Sequence, residues 1–271
     1  MLAKEYVAET STEATPAPAW TKRRMHHIFA PDGRAVVVAM DGARNGPSQG
    51  LEQPKQAVAQ VVEGGVDAIM TTIGMAQAVA GVLGGTGLIL ALDSEGPIAD
   101  YGVEQAARFG ADAVELKVFP GNPQETKLAD LRRLAARCTE WGMPLLAEPI
   151  PVSFQETSAH TVENVAKAAR IGAEAGADFV KIHYVGPVSA YRQVTGSCYV
   201  PILILGGPAK DDPRDALQMA ADAVEAGACG VVFGRNIVTH KRPDRMAAAI
   251  GEIIHGGATV EAAMRSLNPP L

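Results

Sequence analysis

The chain has 271 residues, of which 47% are hydrophobic and 20% charged, and its formal net charge is −6. This composition predicts a globular protein with a sizeable core, and the negative charge gives no reason to expect nucleic acid or an anionic membrane as a partner. The sequence contains no run of 18 apolar residues, so a membrane-spanning helix is not expected.

The cysteines and the beginning of the chain bear on where the protein works. Cys138, Cys198 and Cys229 lie far apart, and none has a CxxC spacing, which favours a reduced, cytoplasmic environment. The first residues form an Ala/Thr/Pro-rich patch without the continuous apolar stretch of a signal peptide. We interpret residues 1–24 as a loose or partner-docking extension and expect residues 25–271 to form a single domain.

Eight short apolar runs rich in strand-forming residues follow one another along the chain. In chain order they are RAVVVAM (34–40), GGVDAIM (64–70), GLILAL (87–92), GADAVEL (110–116), MPLLAEP (143–149), GADFVKI (176–182), VPILILGG (200–207) and GACGVVF (227–233). Every second run begins with a repeated phrase, in which a glycine typical of a helix C-terminal cap precedes the apolar residues. Segments of helical character precede these repeats, such as QAVAQVVE and DALQMAADAVEA.

Eight strands separated by helical segments at these spacings predict a (β/α)₈ barrel. An open doubly wound sheet is the alternative, but no GxGxxG follows the first strand, where a dinucleotide site would need it. The barrel also accounts for several polar and glycine residues in or just after the strands, because barrel active sites form at the C-terminal ends of strands. These residues are Asp41, Asp93, Lys117, Glu148, Lys181, Gly206 and Gly234.

Lys181 stands among strand-forming residues in the segment GADFVKIHY (176–184). Burying an unpaired ammonium ion is costly, and lysine is among the residues that are least often fully buried. A lysine in the middle of such a strand is therefore expected either to have a chemical function or to pair with a buried carboxylate.

Four stretches of the sequence together resemble a known family. They are VVVAMDG (36–42), GADFVKIHY, ILGGP (204–208) and GVVFGRNIVTHKRPDRMAAAIGEIIHGGATVEAA (230–263). They resemble the class I aldolases of the archaeal fructose-bisphosphate type, within the DeoC/LacD superfamily. The resemblance implies a Schiff base between Lys181 and a ketose phosphate, followed by cleavage or formation of a carbon–carbon bond. An apolar barrel would favour the free amine of Lys181, which is the form that attacks a carbonyl.

Two glycine-containing loops are expected to bind phosphate. Gly206 and Gly207 follow the seventh strand, and Gly234 and Arg235 follow the eighth, where barrels commonly hold a phosphate. Glycine allows a phosphate to approach the backbone N–H groups, and the arginine adds a charge with bidentate geometry. Candidates for holding a second phosphate are Arg44, Lys117 and Lys210.

The fifth strand departs from the resemblance. The archaeal-type aldolases carry a catalytic tyrosine there, and this chain has Ile150 at the matching position of AEPIPVS (147–153). Glu148 lies two residues earlier, on the same side of the strand by alternation. We expect Glu148 to transfer protons, with a pKa that burial raises. The alternative is a structural glutamate that holds Lys181 or Lys117.

Asp41, at the end of the first strand, matches an aspartate that the resemblance places in the active site, where it orients substrate hydroxyls or assists proton transfer. The surroundings differ, because Gly42-Ala43 stands where the fructose-bisphosphate members have His-Gly.

Lys117, on the fourth strand, is the alternative nucleophile. It stands two places further along its repeat than Lys181 does, and the resemblance does not favour it. It can instead contact the phosphorylated substrate or pair with Glu115, Asp41 or Glu148.

The remaining polar residues give weaker signals. His183 is two residues after the lysine of the sixth strand, so it can share the inward face and contact substrate. No HxxxH or HExxH occurs, which disfavours a metal site, and we interpret Asp93 and Glu95 as substrate-side or loop-stabilising residues.

The sequence therefore predicts a cytoplasmic class I aldolase, a carbon–carbon lyase that uses no metal or other cofactor. The expected substrate is a phosphorylated sugar or keto compound such as fructose or tagatose bisphosphate. The resemblance also implies a homo-oligomer, such as a pentamer or decamer. Two alternatives remain open. One is a lysine-dependent acyl transferase or thiolase acting on a phosphorylated diketone, and the other is a non-catalytic or metal-dependent phosphate-binding barrel.

Overall fold

The computed structural model describes residues 21–42, 49–92 and 98–268, with side chains from residue 102 onward in the last range. Eight parallel strands form a closed barrel in which each strand pairs with the next in sequence and β8 pairs with β1. The strands are β1 (Ala35–Ala39), β2 (Ala68–Thr71), β3 (Gly87–Ala91), β4 (Ala113–Val118), β5 (Leu145–Pro149), β6 (Phe179–His183), β7 (Ile202–Leu205) and β8 (Gly230–Phe233). The predicted (β/α)₈ barrel is confirmed.

Helices connect the strands and surround the barrel. They are α1 (Pro54–Glu63), α2 (Ile73–Val79), α3 (Ile98–Phe109), α4 (Lys127–Glu140), α5 (Val162–Glu174), α6 (Val188–Ser197), α7 (Pro213–Glu225), α8 (Arg235–Val238), α9 (Pro243–Ile254) and α10 (Val260–Leu267). Side chains that accept a backbone N–H fix the start of three of them: Thr161 for α5, Asp212 for α7 and Thr259 for α10. Within the described ranges, no helix is long and apolar enough to cross a membrane.

Alternation along the strands separates two apolar cores. Outward side chains such as Val114 and Val180 pack against the helices. Inward side chains such as Ala113 and Phe179 fill the barrel interior near the N-terminal ends of the strands. Because side chains repeat every second residue, the inward face of β4 and β6 continues toward the C-terminal end with polar residues. Those residues are Glu115 and Lys117 on β4, and Lys181 and His183 on β6.

The N-terminal end of the barrel is closed by the segment that precedes β1. Met25, Ile28 and Phe29 are buried in the inner core, and the ring of Phe29 meets that of Phe179 edge-on at 5.4 Å. Among the described residues, this segment therefore covers the end of the barrel opposite the one where the polar residues lie.

The repeated phrase also has a structural use at this closed end. The aspartates of its first three copies, Asp67, Asp112 and Asp178, each accept a backbone N–H from the preceding strand. They also pair with His255, His27 and Lys22, respectively. The repeat therefore joins neighbouring strands on the face away from the mouth.

Candidate active site

Five ionisable side chains meet inside the C-terminal mouth of the barrel, contributed by β4, β5, β6 and the second residue after β1. They are Asp41, Glu115, Lys117, Glu148 and Lys181, and we call them the ionic cluster. Three of them are buried, namely Glu115, Glu148 and Lys181, with exposures of 1%, 2% and 5%. The inward register of the strands brings them together, because Lys117 on β4 lies directly opposite Glu148 on β5.

Lys181 has one carboxylate partner in the ionic cluster. Its Nζ donates to Oε1 of Glu148 at 2.9 Å, and both side chains are buried. The lysine therefore has a buried partner, which was one of the two alternatives that the sequence left open, and that partner is also able to accept its proton.

Lys117 is held much more tightly. Its Nζ lies 2.6 Å from Oδ2 of Asp41, 3.4 Å from Oε1 of Glu115 and 3.5 Å from Oε2 of Glu148. Burial alone would lower the pKa of Lys117, but the three carboxylates outweigh burial and raise it, so the side chain stays an ammonium ion. All three pairings that the sequence left open are present together.

Glu148 does not have the raised pKa that we expected. Burial does favour its neutral form, but the charges of Lys181 and Lys117 outweigh burial and lower the pKa. The same balance, with the same two lysines, lowers the pKa of Asp41. The expectation was wrong because burial was considered without the two cations, and Glu148 is present as a carboxylate that can accept a proton.

Glu115 is the carboxyl group whose pKa is raised, to about 8, chiefly by burial. Its Oε1 has no hydrogen-bond partner among the described residues. With all five groups ionised, the cluster would contain one more carboxylate than ammonium, and a buried excess charge is unfavourable. A proton on Glu115 makes the cluster neutral. The sequence showed Glu115 only as a neighbour of Lys117.

We expect Glu115→Gln to stay within about threefold of the wild-type kcat near neutral pH, because a neutral amide replaces a neutral acid of the same shape. In the wild type, raising the pH through about 8 ionises Glu115 beside Asp41 and Glu148, so activity should fall. The variant should lose this decline in its pH–rate profile, whereas Glu174→Gln on the exposed face of α5 should keep it. Identical profiles for wild type and Glu115→Gln would contradict this prediction.

The two loops predicted to bind phosphate lie side by side. Asn236, at the start of α8, donates from Nδ2 to the carbonyl oxygen of Gly206 at 2.9 Å and accepts the backbone N–H of Lys210. A Cβ at Gly206 would lie 2.8 Å from that Nδ2, and one at Gly234 would lie 2.7 Å from the carbonyl oxygen of Ala39. Both positions are therefore restricted to glycine by close contacts.

Arg235 is exposed next to these loops, and its guanidinium makes no ion pair with the residues that the structure describes. Its charge is thus free to meet an anion. Lys210, proposed for a second phosphate, is also exposed, whereas Arg44, Asp93 and Glu95 lie outside the described residues.

We expect Arg235→Ala to raise the KM for a phosphorylated substrate by about tenfold to a hundredfold, because a charge-assisted hydrogen bond contributes about 1.5–3 kcal/mol. The KM for the corresponding unphosphorylated ketone should change much less. Arg265→Ala, on the exposed surface of α10, is the matched control. Equal losses for both ketones would mean that Arg235 has a structural role.

The loop after β5 begins with the position at which the archaeal-type aldolases carry a catalytic tyrosine. Ile150 is fully buried there, so no hydroxyl replaces the phenol at that position. Further along, the ring of His160 lies against that of His183 with 4.0 Å between centroids, and its Nε2 donates to the carbonyl oxygen of Ser153 at 2.8 Å. No pattern in the sequence indicated that His160 meets His183.

The described residues contain no group of three or more His, Cys, Asp and Glu side chains that could hold a metal ion. In the ionic cluster, cations are already supplied by Lys117 and Lys181.

Fold and site together define a (β/α)₈ barrel with two lysines and three carboxyl groups inside its C-terminal mouth. The chain belongs to the DeoC/LacD aldolase family, whose profile, described as DeoC/LacD family aldolase, matches residues 35–240. Its fold is that of the family's class I aldolases.

Similar proteins agree with this placement. An uncharacterized aldolase of Saccharolobus solfataricus is 35% identical, covering 90% of this chain and 97% of that protein. The 2-amino-3,7-dideoxy-D-threo-hept-6-ulosonate synthase 1 of Archaeoglobus fulgidus is 33% identical, covering 90% and 94%. A solved Schiff-base-forming fructose-1,6-bisphosphate aldolase superposes with a TM-score of 0.75 at 26% identity, covering 86% of this chain and 98% of that one.

Proposed function

We propose that this protein is a class I aldolase that forms an imine between Lys181 and a phosphorylated keto compound. The observation that carries the proposal is the contrast between the two buried lysines. Lys181 has a single 2.9 Å bond to a carboxylate, Glu148, that can take its proton, whereas Lys117 is held as an ammonium ion by three carboxylates. Of these two lysines, Lys181 is thus the one arranged to become a free amine.

Imine formation follows from this pair. Transfer of a proton from Lys181 to Glu148 gives a neutral amine and a neutral acid. The amine then attacks the ketone carbon, and a proton moves from its nitrogen to the former carbonyl oxygen to give a carbinolamine. The protonated Glu148 can return its proton to the hydroxyl of the resulting carbinolamine, which leaves as water. This step restores the carboxylate of Glu148 beside a protonated imine.

Cleavage of the carbon–carbon bond uses the same carboxylate. Glu148 removes the proton of the hydroxyl group β to the imine carbon, an aldehyde is released, and the bonding electrons move to the imine nitrogen to give an enamine. Protonation of the enamine carbon and addition of water then release the ketone and free Lys181. Lys117, fixed to Asp41 at 2.6 Å, supplies a permanent positive charge opposite Glu148. The prediction that Lys117 binds phosphate stays a prediction, and its three carboxylate contacts favour the electrostatic role.

The phosphate of the substrate is assigned to the loops after β7 and β8, where Arg235 is unpaired within the described part of the chain and Gly206 and Gly234 are closely packed. The names of the similar proteins, a fructose-bisphosphate aldolase and a heptulosonate synthase, support a keto compound with several oxygen substituents. Fructose and tagatose bisphosphate are the first candidates to test. A homo-oligomer in the cytoplasm remains the expectation from sequence.

The test is reductive trapping. Incubation with dihydroxyacetone phosphate and borohydride should add the mass of the reduced ketone to the chain and stop turnover, and omission of either reagent should leave the mass unchanged. Aldol cleavage that continues at full rate after such treatment would contradict the proposal. Turnover that requires a thiol acceptor would support the acyl-transfer alternative instead.

A further inference from the structure

The loop after β5 contains one unusual backbone conformation. Val152 has a φ of 59°, and it is the one non-glycine residue in the described part of the chain with positive φ. A β-branched residue is strained in this region, and such strain persists only where the surroundings impose it, often at ligand sites.

Hydrogen bonds to the neighbouring loop impose this conformation. The backbone N–H of Val152 donates to the carbonyl oxygen of Pro120 at 2.9 Å, and Nδ2 of Asn122 donates to the carbonyl oxygen of Val152 at 3.1 Å. The loop after β5 is thereby fixed to the loop after β4. The residue two places beyond Val152 is Phe154, which is 39% exposed at the mouth.

Four aromatic rings meet where these two loops approach the end of β6. They are those of Phe119, Phe154, His160 and His183, and we call them the ring wall. Phe154 contacts Phe119 and His183 with 6.0 Å between centroids in each case, and His160 stacks on His183 at 4.0 Å. The four rings come from three separate segments, so the fixed loops bring them together. His183 lies two residues after Lys181 on the same inward face.

The ring wall is close to electrically neutral. Burial, followed by the neighbouring His160, lowers the pKa of His183 to about 4, so its imidazole is uncharged near neutral pH. Lys127 lies 5.8 Å from the Phe119 ring, and the carboxylate of Glu125 accepts the backbone N–H groups of both residues. One cation and one anion beside the rings do not form a phosphate site.

We propose that the ring wall is a subsite for an uncharged, apolar or planar end of the substrate, so that the substrate carries a single phosphate. Lys181 on β6 lies between the two regions. The phosphate loops follow β7 and β8, and three of the four rings lie in the loops after β4 and β5, with His183 at the end of β6. A substrate joined to Lys181 places its phosphate in the loops on one side of this lysine. Its other half, the aldehyde half, therefore extends over the ring wall on the other side of the lysine.

This inference rests on the proposed function, because it assigns the half of the substrate that Lys181 does not bind. It also narrows the range of substrates expected for that function to compounds with a single phosphate. The second phosphate of a ketose bisphosphate would lie against the rings, where the cation of Lys127 is accompanied by the carboxylate of Glu125, and this is unfavourable for an anion.

The experiment measures aldol addition of dihydroxyacetone phosphate to three aldehydes: 3-phenylpropanal, glycolaldehyde and glyceraldehyde 3-phosphate. The wild type should have its highest kcat/KM with 3-phenylpropanal and its lowest with glyceraldehyde 3-phosphate. Phe154→Ala should lower the ratio of kcat/KM for 3-phenylpropanal to that for glycolaldehyde by about tenfold, as expected for loss of one ring contact. Trp141→Ala removes an equally exposed ring at the end of α4 and should leave the ratio unchanged.

A second pair of variants separates ring contact from a structural effect. His183→Phe keeps a ring and should keep the wild-type order of aldehydes, whereas His183→Ala should lose it. Preference of the wild type for glyceraldehyde 3-phosphate, or equal losses for all three aldehydes in Phe154→Ala, would overturn the subsite. Reductive trapping with dihydroxyacetone phosphate alone reports on Lys181 independently, so absence of the trapped adduct would instead overturn the proposed function.

Discussion

Lys181→Met is expected to abolish both turnover and reductive trapping while the barrel remains folded. Methionine has nearly the volume of lysine and lacks the amine, so the inner packing is retained and the nucleophile is lost. The residual rate should be at the level of the background reaction, and mass spectrometry of the reduced wild-type protein should place the adduct on the peptide that contains residue 181. Lys167→Met, on the exposed face of α5, is the control and should be trapped normally.

The other buried lysine provides the outcome that would contradict this assignment. An adduct mapped to Lys117, or trapping that persists in Lys181→Met, would mean that β4 carries the nucleophile. We expect Lys117→Met to be impaired for a different reason, because it leaves Asp41, Glu115 and Glu148 without their shared cation. Its folded yield should fall, and any folded protein should still be trapped at Lys181.

Glu148→Gln is expected to lower kcat by about 10²–10⁴-fold with little change in KM, which is the usual effect of removing a general acid–base group. The amide is isosteric but cannot carry the proton between Lys181 and the substrate oxygens. The lowered pKa of Glu148 predicts the sign of the pH dependence, because the carboxylate is the active base and activity should fall as acid protonates it. The variant should lose this acidic limb of the pH–rate profile.

Single-turnover trapping separates this role from a purely structural one. If Glu148 accepts the proton of Lys181 and also carries out the later proton transfers, trapping should slow in the variant, and turnover should slow further because additional steps lose the same group. If Glu148 serves only to hold Lys181, trapping and turnover should slow by the same factor. Glu174→Gln, an exposed glutamate of α5, controls for the loss of a surface charge. Full kcat in Glu148→Gln would assign the proton transfer to Asp41, His183 or water.

The repeated glycine phrase predicted four strands of the barrel, and the apolar runs between its copies predicted the other four. Its apolar run is local information, and the observed strands begin a few residues after the glycine, as with β6 at Phe179 in the phrase that starts at Gly176. The predicted helical segments before the second and eighth strands are α1 and α7. Alternation within a single strand also predicted that Glu148 and Ile150 share a face, and that His183 shares one with Lys181.

By itself, then, the sequence determined the barrel fold, the end of the barrel at which the polar residues lie, and the position of Lys181 within the sixth strand. It could do so because periodicity and strand ends are set by neighbours along the chain. Only the tertiary structure decided which carboxyl group holds a proton. Glu148 and Glu115 are both buried. Glu148 lies 2.9 Å from Lys181, whereas the lysine nearest Glu115 is Lys117, which also pairs with other carboxylates. Burial raises the pKa of each, and distances between strands far apart in sequence determine whether a cation reverses the effect. The ring wall likewise depends on loops that meet only after the barrel has closed.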